Sequence, residues 1–227
     1  MSGYLRESRR WETAVLLTAP LLVLYELGLL LFSDGSVRNA ADVILTRYLL
    51  RLDGRHAALI MNACVLMLFL VAAMRRERRA TPGLLLLVMA ESAVWALLLP
   101  FLGFLVDSLE ALQAGGATEV LADLALGVGA GLYEELLFRL ILVSVLYLVL
   151  HRAFRFNELW STATSVLVSA AIFSWFHHWG ALGEPWDAWR FVFRFLAGVV
   201  LGLLFVHRGL AVVCWTHALY NAQLLLR

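Results

Sequence analysis

Long apolar stretches separated by short polar segments dominate the pattern of the chain. A membrane-spanning helix needs about 20 predominantly apolar residues. The pattern predicts about seven such spans, at 13–32, 57–74, 83–106, 120–150, 159–179, 188–206 and 209–226. All of them should be helices, because an open sheet leaves backbone groups unpaired in lipid.

The segment 40–52 follows a different pattern. Its apolar residues alternate with Asp42, Arg47 and Arg51 at near-helical spacing, which predicts an amphipathic helix at the membrane interface. The sequence shows no internal repeat or linker. We therefore predict an all-α fold, a polytopic transmembrane helical bundle forming a single integral membrane domain over 1–227.

The composition also indicates that the chain is embedded in a lipid membrane. Hydrophobic residues make up 62% and charged residues 15% of the sequence, and the mean hydropathy is +0.83. A soluble domain is closer to half apolar and a quarter charged. With a net charge of +1 and no long basic run, we expect no nucleic-acid partner.

The arginines between the apolar stretches predict an orientation, because cytoplasmic loops are enriched in basic residues. An N-terminus in the cytoplasm of a bacterial inner (plasma) membrane protein places most of them on one side. They are Arg6, Arg9 and Arg10 before the first stretch, Arg75, Arg76, Arg78 and Arg79 after the second, Arg152 and Arg155 after the fourth, and Arg208 after the sixth. The segment 38–55, with four arginines on the opposite side, is the exception.

Ionisable residues inside apolar helices are costly, and they indicate a functional site by default. Glu134 and Glu135 lie within the fourth stretch, and Arg139 follows Glu135 by four residues. This spacing predicts an ion pair between Glu135 and Arg139 on one helix face. Glu134 points about 100° away and is free for chemistry. The alternative is an ion-pair cluster that only fixes helix packing.

Two further groups of polar residues end or interrupt later spans. His177 and His178 close the fifth stretch, where four tryptophans predict an aromatic belt at the membrane interface. His217 and Asn221 are four residues apart in the last stretch and share a helix face. For His178 we favour an ordinary interfacial residue, and for His217 and Asn221 the alternative is an interhelical hydrogen-bonded pair.

Together these residue types fit the hydrolysis of a peptide bond. A carboxylate and an imidazole can hold a water and take its proton, while a second imidazole and an amide can stabilise an oxyanion. The Gly-x-Ser-x-Gly and His-Glu-x-x-His motifs are absent from the sequence. A Zn²⁺ ion held by Glu and two His is the weaker variant, so we predict no metal or other cofactor.

Three short motifs on separate predicted helices resemble, in order, those of the CPBP family of intramembrane proteases. This family includes type II CAAX prenyl endopeptidases and bacterial abortive-infection and bacteriocin-immunity proteins. The motifs are Glu134-Glu135-x-x-x-Arg139, Phe173-x-x-x-His177 and His217-x-x-x-Asn221. They fall in the half of the chain from about 120 to 227.

The resemblance implies a glutamate-dependent protease of the CAAX type. Glu134 and His177 would activate a water, and His217 and Asn221 would stabilise the oxyanion. Supporting roles would fall to three other motif residues: Glu135, Arg139 and Phe173.

The expected partners are membrane lipid and a protein or peptide with a hydrophobic or lipidated C-terminal tail. Cleavage near that tail would process membrane-associated or exported proteins, including those with C-terminal sorting tails. Two alternatives stay open at this point. Buried Glu, Arg and His also build proton pathways in transporters, and an immunity or scaffold protein could keep the same fold without catalysis.

Overall fold

The computed structural model describes residues 2–32, 38–49, 81–104, 117–180 and 183–225, together with the single positions 64, 67 and 71. These residues form helices joined by short connections, and no β-strand occurs among them. The helices are α1 (Ser2–Ser8), α2 (Trp11–Phe32), α3 (Ala40–Val43), α4 (Pro82–Phe104), α5, α6 (Glu158–Phe176), α7 (Ala188–Arg208) and α8 (Leu210–Leu225).

Helix α5 is continuous but changes its winding along its length. It is α-helical over Ala117–Glu134, π-helical over Glu135–Val143, α-helical over Ser144–Leu148 and π-helical over Val149–Ala153. π-Helical turns are rare and occur frequently at functional sites. The first change of winding falls between the two adjacent glutamates.

Within the described residues, five helices are long and apolar enough to cross a membrane. They are Trp11–Phe32, Pro82–Leu102, Glu119–Ala153, Glu158–Phe176 and Ala188–Arg208. For the residues that the structure describes, the prediction of an all-helical integral membrane protein is confirmed. The predicted span 57–74 lies outside the described residues except at positions 64, 67 and 71, so the count of seven stays a prediction.

The seventh predicted span, α8, is the central helix of the bundle. It packs against α2, α4, α5 and α7, and every residue from Ala211 to Ala218 is buried. At 16 residues it is about 24 Å long, which is shorter than the hydrocarbon core of about 30 Å. Its neighbours shield it from lipid, which explains a helix that is apolar on all sides.

Helices α5 and α8 approach closely because Gly131 has no side chain. A Cβ at Gly131 would lie 2.5 Å from the backbone nitrogen of Ala218, next to His217. Small residues at helix contacts allow such approaches in membrane proteins. The contact brings the C-terminal part of the first α-helical section of α5 against the middle of α8.

We therefore expect Gly131→Val to force the two helices apart. Overpacking of this kind costs about 1–3 kcal/mol, so the thermal unfolding midpoint of the purified protein in detergent should fall. Gly83→Val is the matched control, because the nearest atom to a Cβ there is Thr81 Oγ1 at 4.0 Å. Equal midpoints for the two variants would contradict the close approach.

Capping residues fix where α6 and α7 begin and end. The side chains of Asn157 and Asp187 accept hydrogen bonds from the backbone nitrogens of Trp160 and Arg190, respectively, as N-cap residues do. Gly209 ends α7 with a φ of 87°, a conformation that favours glycine, and α8 starts at the next residue. This tight turn holds α7 and α8 side by side.

Buried serines connect the helices through backbone carbonyls. Ser169 of α6 donates to the Phe138 carbonyl of α5 at 2.8 Å, and Ser174 donates to the Phe191 carbonyl of α7 at 2.6 Å. Phe138 lies in the π-helical stretch. These bonds tie α6 between α5 and α7.

The predicted amphipathic helix at 40–52 is only partly described. Ala40–Val43 is α-helical and Ile44–Leu49 is π-helical, while 50–52 lie outside the described residues. Asp42 does not face water as that pattern indicated, because it is fully buried and paired with Arg38 and Tyr25. An interfacial position for the segment stays a prediction.

Candidate active site

Glu134 and Glu135 lie at the junction between the first α-helical and π-helical sections of α5. Their exposed fractions are 5% and 0%, respectively. The two carboxylates have different partners. Glu135 lies within a cluster of charged and polar groups, whereas one oxygen of Glu134 faces two imidazole rings.

Glu135 pairs with Arg139, as the spacing of four residues indicated. Arg139 Nη1 lies 3.1 Å from Glu135 Oε1. The guanidinium also donates to the Gly198 carbonyl at 3.4 Å and lies 4.4 Å from the ring centroid of Phe173. An additional contact is His217 Nδ1 at 2.7 Å from the same Glu135 oxygen. Glu135 therefore links a buried cation to an imidazole of α8.

Glu134 Oε2 faces the Nε2 atoms of both His177 and His217. Each of the two N–O distances is 3.9 Å, which is too long for a hydrogen bond. This oxygen is buried and has no hydrogen-bond partner among the described residues. Polar groups more than 3.5 Å apart are candidates for a bridging water. These three atoms are therefore the candidates to share one water molecule.

The contacts of the two Nδ1 atoms determine whether the Nε2 atoms of His177 and His217 donate or accept hydrogen bonds. His177 Nδ1 lies 2.9 Å from the Phe173 carbonyl and must donate, because a carbonyl only accepts. His217 Nδ1 donates to the Glu135 carboxylate by the same reasoning. In a neutral ring the remaining Nε2 is an acceptor. Both Nε2 atoms face the unpaired oxygen of Glu134 and would be acceptors if both rings were neutral.

Phe173 and His178 have different surroundings despite their shared helix end. The Phe173 ring centroid lies 4.9 Å from that of His177 and 6.1 Å from that of His217, so this ring packs between the catalytic candidates. His178 instead directs Nδ1 at the Pro185 carbonyl, 3.2 Å away, and its ring centroid lies 5.1 Å from that of Trp186. The sequence interpretation of His178 as an ordinary residue matches these contacts.

The loop after His177 is fixed to the end of α6. The Glu184 backbone nitrogen donates to the His177 carbonyl at 2.9 Å. The Glu184 carboxylate pairs with Arg194 at 2.6 Å and with Arg190 at 3.2 Å. Burial alone would raise the pKa of Glu184, but hydrogen bonds and charge from Arg194 and Arg190 outweigh it and lower that pKa. The loop therefore keeps its charged anchor at neutral pH.

Asn221 lies one turn after His217 on α8. Its Nδ2 donates to the Gly127 carbonyl of α5 at 3.0 Å. The structure thus brings Glu134, His177 and His217 together around one point, while the contact of Asn221 is with the backbone of α5. The amide nitrogen of Asn carries two hydrogens, so this bond uses one of them.

A residue that the sequence did not identify also reaches the site. Asn39, in the connection before α3, donates from Nδ2 to Glu134 Oε1 at 3.1 Å. The side-chain oxygen of the same residue caps α3 through the Ala41 nitrogen. An Asn before a helical segment indicates a cap, but no local pattern indicates a partner 95 residues away.

The three facing atoms are also of the kind that bind zinc. That the site works without a metal therefore stays a prediction. Among the described residues, no group of three or more His, Cys, Asp or Glu has the arrangement of a metal site.

Comparison with known proteins gives one result that bears on identity. The family model described as "Type II CAAX prenyl endopeptidase Rce1-like" matches residues 116–223. This range contains all of the predicted motif residues, and the match supports the assignment of the chain to the CPBP family. No curated protein and no solved structure gives a significant match.

Proposed function

We propose that this chain, whose residues 116–223 match the Rce1-like family, is an intramembrane endopeptidase that uses an activated water. The observation that carries the proposal is the convergence of Glu134, His177 and His217. A buried, unpaired carboxylate oxygen lies 3.9 Å from an imidazole nitrogen of His177, at the end of α6, and 3.9 Å from one of His217, on α8. Desolvating such a group is costly unless something uses it.

The protonation of the site follows from counting donors and acceptors. A water can donate two hydrogens and accept from a third group. A water between three such groups makes three hydrogen bonds when one of the groups carries an added proton. We assign that proton to His217, because its other nitrogen bonds the Glu135 carboxylate. The water then donates to Glu134 and His177 and accepts from the His217 imidazolium.

The chemical step uses these groups in order. The water oxygen attacks the carbonyl carbon of the scissile peptide bond, and Glu134 takes one of its protons. His217 Nε2–H stabilises the oxyanion that forms, with Asn221 as the second donor. The C–N bond then breaks, and the proton held by Glu134 passes to the departing amine. The products are a new carboxyl terminus and a free amino terminus.

The location of the site within the bundle bears on the substrate. Helix α7 starts near His178, which contacts Trp186, and ends at Arg208, which bonds Ser8 of α1 and Glu91 of α4. The site thus lies towards the end of the bundle away from α1. If the N-terminus is cytoplasmic, the site opens towards the outer leaflet, which suits an exported substrate with a hydrophobic C-terminal tail.

Adjacent histidines provide a test of this proposal. In liposomes, the purified protein should cleave a fluorogenic peptide with a hydrophobic C-terminal tail, either plain or farnesylated. We expect His177→Ala to lower kcat/KM by roughly 100-fold, the lower range for a lost acid–base group. His178→Ala, the matched control, should keep the rate, because its side chain bonds the loop after α6.

Each alternative function gives a different outcome in that assay. Equal losses of kcat/KM in the two histidine variants would contradict the proposed role of His177. A proton pathway would show ion flux without any cleavage product. A zinc enzyme would lose its activity to 1,10-phenanthroline and regain it with added Zn²⁺, whereas the proposed mechanism keeps its rate in the chelator.

A further inference from the structure

We infer that Asn39 is a positioning residue for Glu134, supplied by the part of the chain that precedes the matched family region. The inference rests on the proposed function. The Asn39 side chain donates from Nδ2 to Glu134 Oε1 at 3.1 Å. It therefore holds one carboxylate oxygen and leaves the other, Oε2, facing the two histidines.

The orientation of the Asn39 amide follows from its second contact. Its side-chain oxygen accepts a hydrogen bond from the Ala41 backbone nitrogen at 2.8 Å, as the N-cap of α3. A backbone N–H can bond only an acceptor, so the oxygen must face α3. The NH₂ group must then face Glu134. A carboxylate accepts this bond, and the donor fixes the rotation of the carboxylate plane.

The backbone of Asn39 is itself held in place by buried groups. Its nitrogen donates to the Tyr25 hydroxyl at 3.1 Å, and that hydroxyl donates to Asp42 at 2.9 Å. Arg38 pairs with the same Asp42 oxygen at 2.5 Å and with Glu26 at 2.5 Å. Bonds between charged groups are stronger than neutral ones. The connection before α3 is thus fastened to the end of α2.

Tyr25 also contacts α5, close to Glu134. The ring is fully buried, and it lies edge-on to Tyr133, the residue before Glu134, with centroids 5.4 Å apart. A Cβ at Gly129 would lie 2.4 Å from the Tyr25 ring, so α5 and α2 are in close contact. Tyr25 thus contacts both Asn39 and the turn of α5 that carries Glu134. These contacts keep the two hydrogen-bonded side chains in a fixed relative position.

The position of the Glu134 carboxylate matters for catalysis. A general base works only when its acceptor oxygen points at the water, and a misplacement of about 1 Å costs up to about 100-fold in rate. Without the Asn39 donor, Glu134 would lose the bond that selects between its two oxygens. Binding of the substrate tail elsewhere in the bundle would change little. We therefore expect an effect on kcat rather than on KM.

The test separates the donor from the helix cap. Asn39→Ser keeps a good N-cap residue but is too short to reach Glu134, and kcat should fall about 10- to 100-fold with KM unchanged. Asn157→Ser is the matched control. Asn157 caps α6 in the same way, through the Trp160 nitrogen at 2.9 Å, and is exposed and outside the site. Asn157→Ser should keep the kcat and the thermal midpoint of the wild type, whereas the midpoint of Asn39→Ser should fall, because the Glu134 carboxylate loses a hydrogen bond.

A second variant tests the role of Asn39 through the pH dependence of the cleavage activity. Asn39→Asp keeps the cap but turns a carboxylate oxygen towards Glu134, so activity should be low at neutral pH. Activity should recover as the pH falls, because the introduced carboxyl group can again donate to Glu134 once it is protonated. A purely structural role predicts no such recovery, and the profile of Asn39→Asp would then parallel that of the wild type.

The outcomes for Asn39 and for the proposed function are distinguishable. Full cleavage by Glu134→Gln would overturn the proposed function and the role of Asn39 with it. An inactive Glu134→Gln together with an Asn39→Ser variant that matches Asn157→Ser in kcat would overturn the role of Asn39 alone.

Discussion

Glu134→Gln should abolish peptide hydrolysis while leaving the protein folded. The amide has the shape of the carboxylate and can still accept the hydrogen bond from Asn39. Its NH₂ group would face His177 and His217 as a donor, so the carboxylate proposed to take the proton of the water would be gone. We expect a fall in kcat of roughly 10⁴-fold, the upper range for removal of a general base.

The measurement is cleavage of the tail peptide in liposomes, with thermal unfolding as a check of folding. Glu91→Gln is the matched control, because Glu91 also lies in a membrane helix but pairs with Arg208 at 2.6 Å. That variant should retain hydrolysis within a few-fold, since its carboxylate is outside the site. If both glutamine variants lost activity equally, Glu134 would not be the base.

Most of the helical layout could be predicted from the hydrophobic pattern, because lipid leaves few other structures available. The predicted stretch 188–206 corresponds to Ala188–Arg208 in the structure, and 13–32 to Trp11–Phe32. The stretch 159–179 ends earlier, at Phe176. The chain turns there, and Gly180 adopts a φ of 88°.

The winding of α5 could not be predicted, because periodicity analysis assumes 3.6 residues per turn. The π-helical stretch starts at Glu135, and apolar residues surround it on both sides. The spacing of four residues still placed Glu135 beside Arg139. Local spacing sufficed there because the two side chains belong to the same turn.

Contacts between distant parts of the chain account for what the sequence left open. Glu135 meets His217 across 82 residues, and Asn39 meets Glu134 across 95. The motif residues suggested that their helices converge, but not which carboxylate each imidazole would bond. Asn39 carried no signal beyond that of a helix cap, since its partner depends on how α2 packs against α5.

Arg139→Met should be the most destabilising of the charge substitutions in the site. Arg139 is 1% exposed and Glu135 is 0% exposed, so the variant leaves a carboxylate buried with only His217 beside it. Removing one partner of a buried ion pair costs about 3–5 kcal/mol. The contact of the guanidinium with the Phe173 ring is lost as well. The thermal unfolding midpoint in detergent should therefore fall steeply.

Two further variants show whether the unpaired charge is the cause of that loss. The double variant Glu135→Gln with Arg139→Met removes both charges, and part of the lost stability should return. Arg190→Met is the control, because Arg190 is partly exposed and Glu184 keeps Arg194 as a partner; exposed pairs contribute only about 0–1 kcal/mol. If Arg139→Met were as stable as Arg190→Met, the buried pair would not hold the bundle together. Glu135 would then matter mainly through its hydrogen bond to His217.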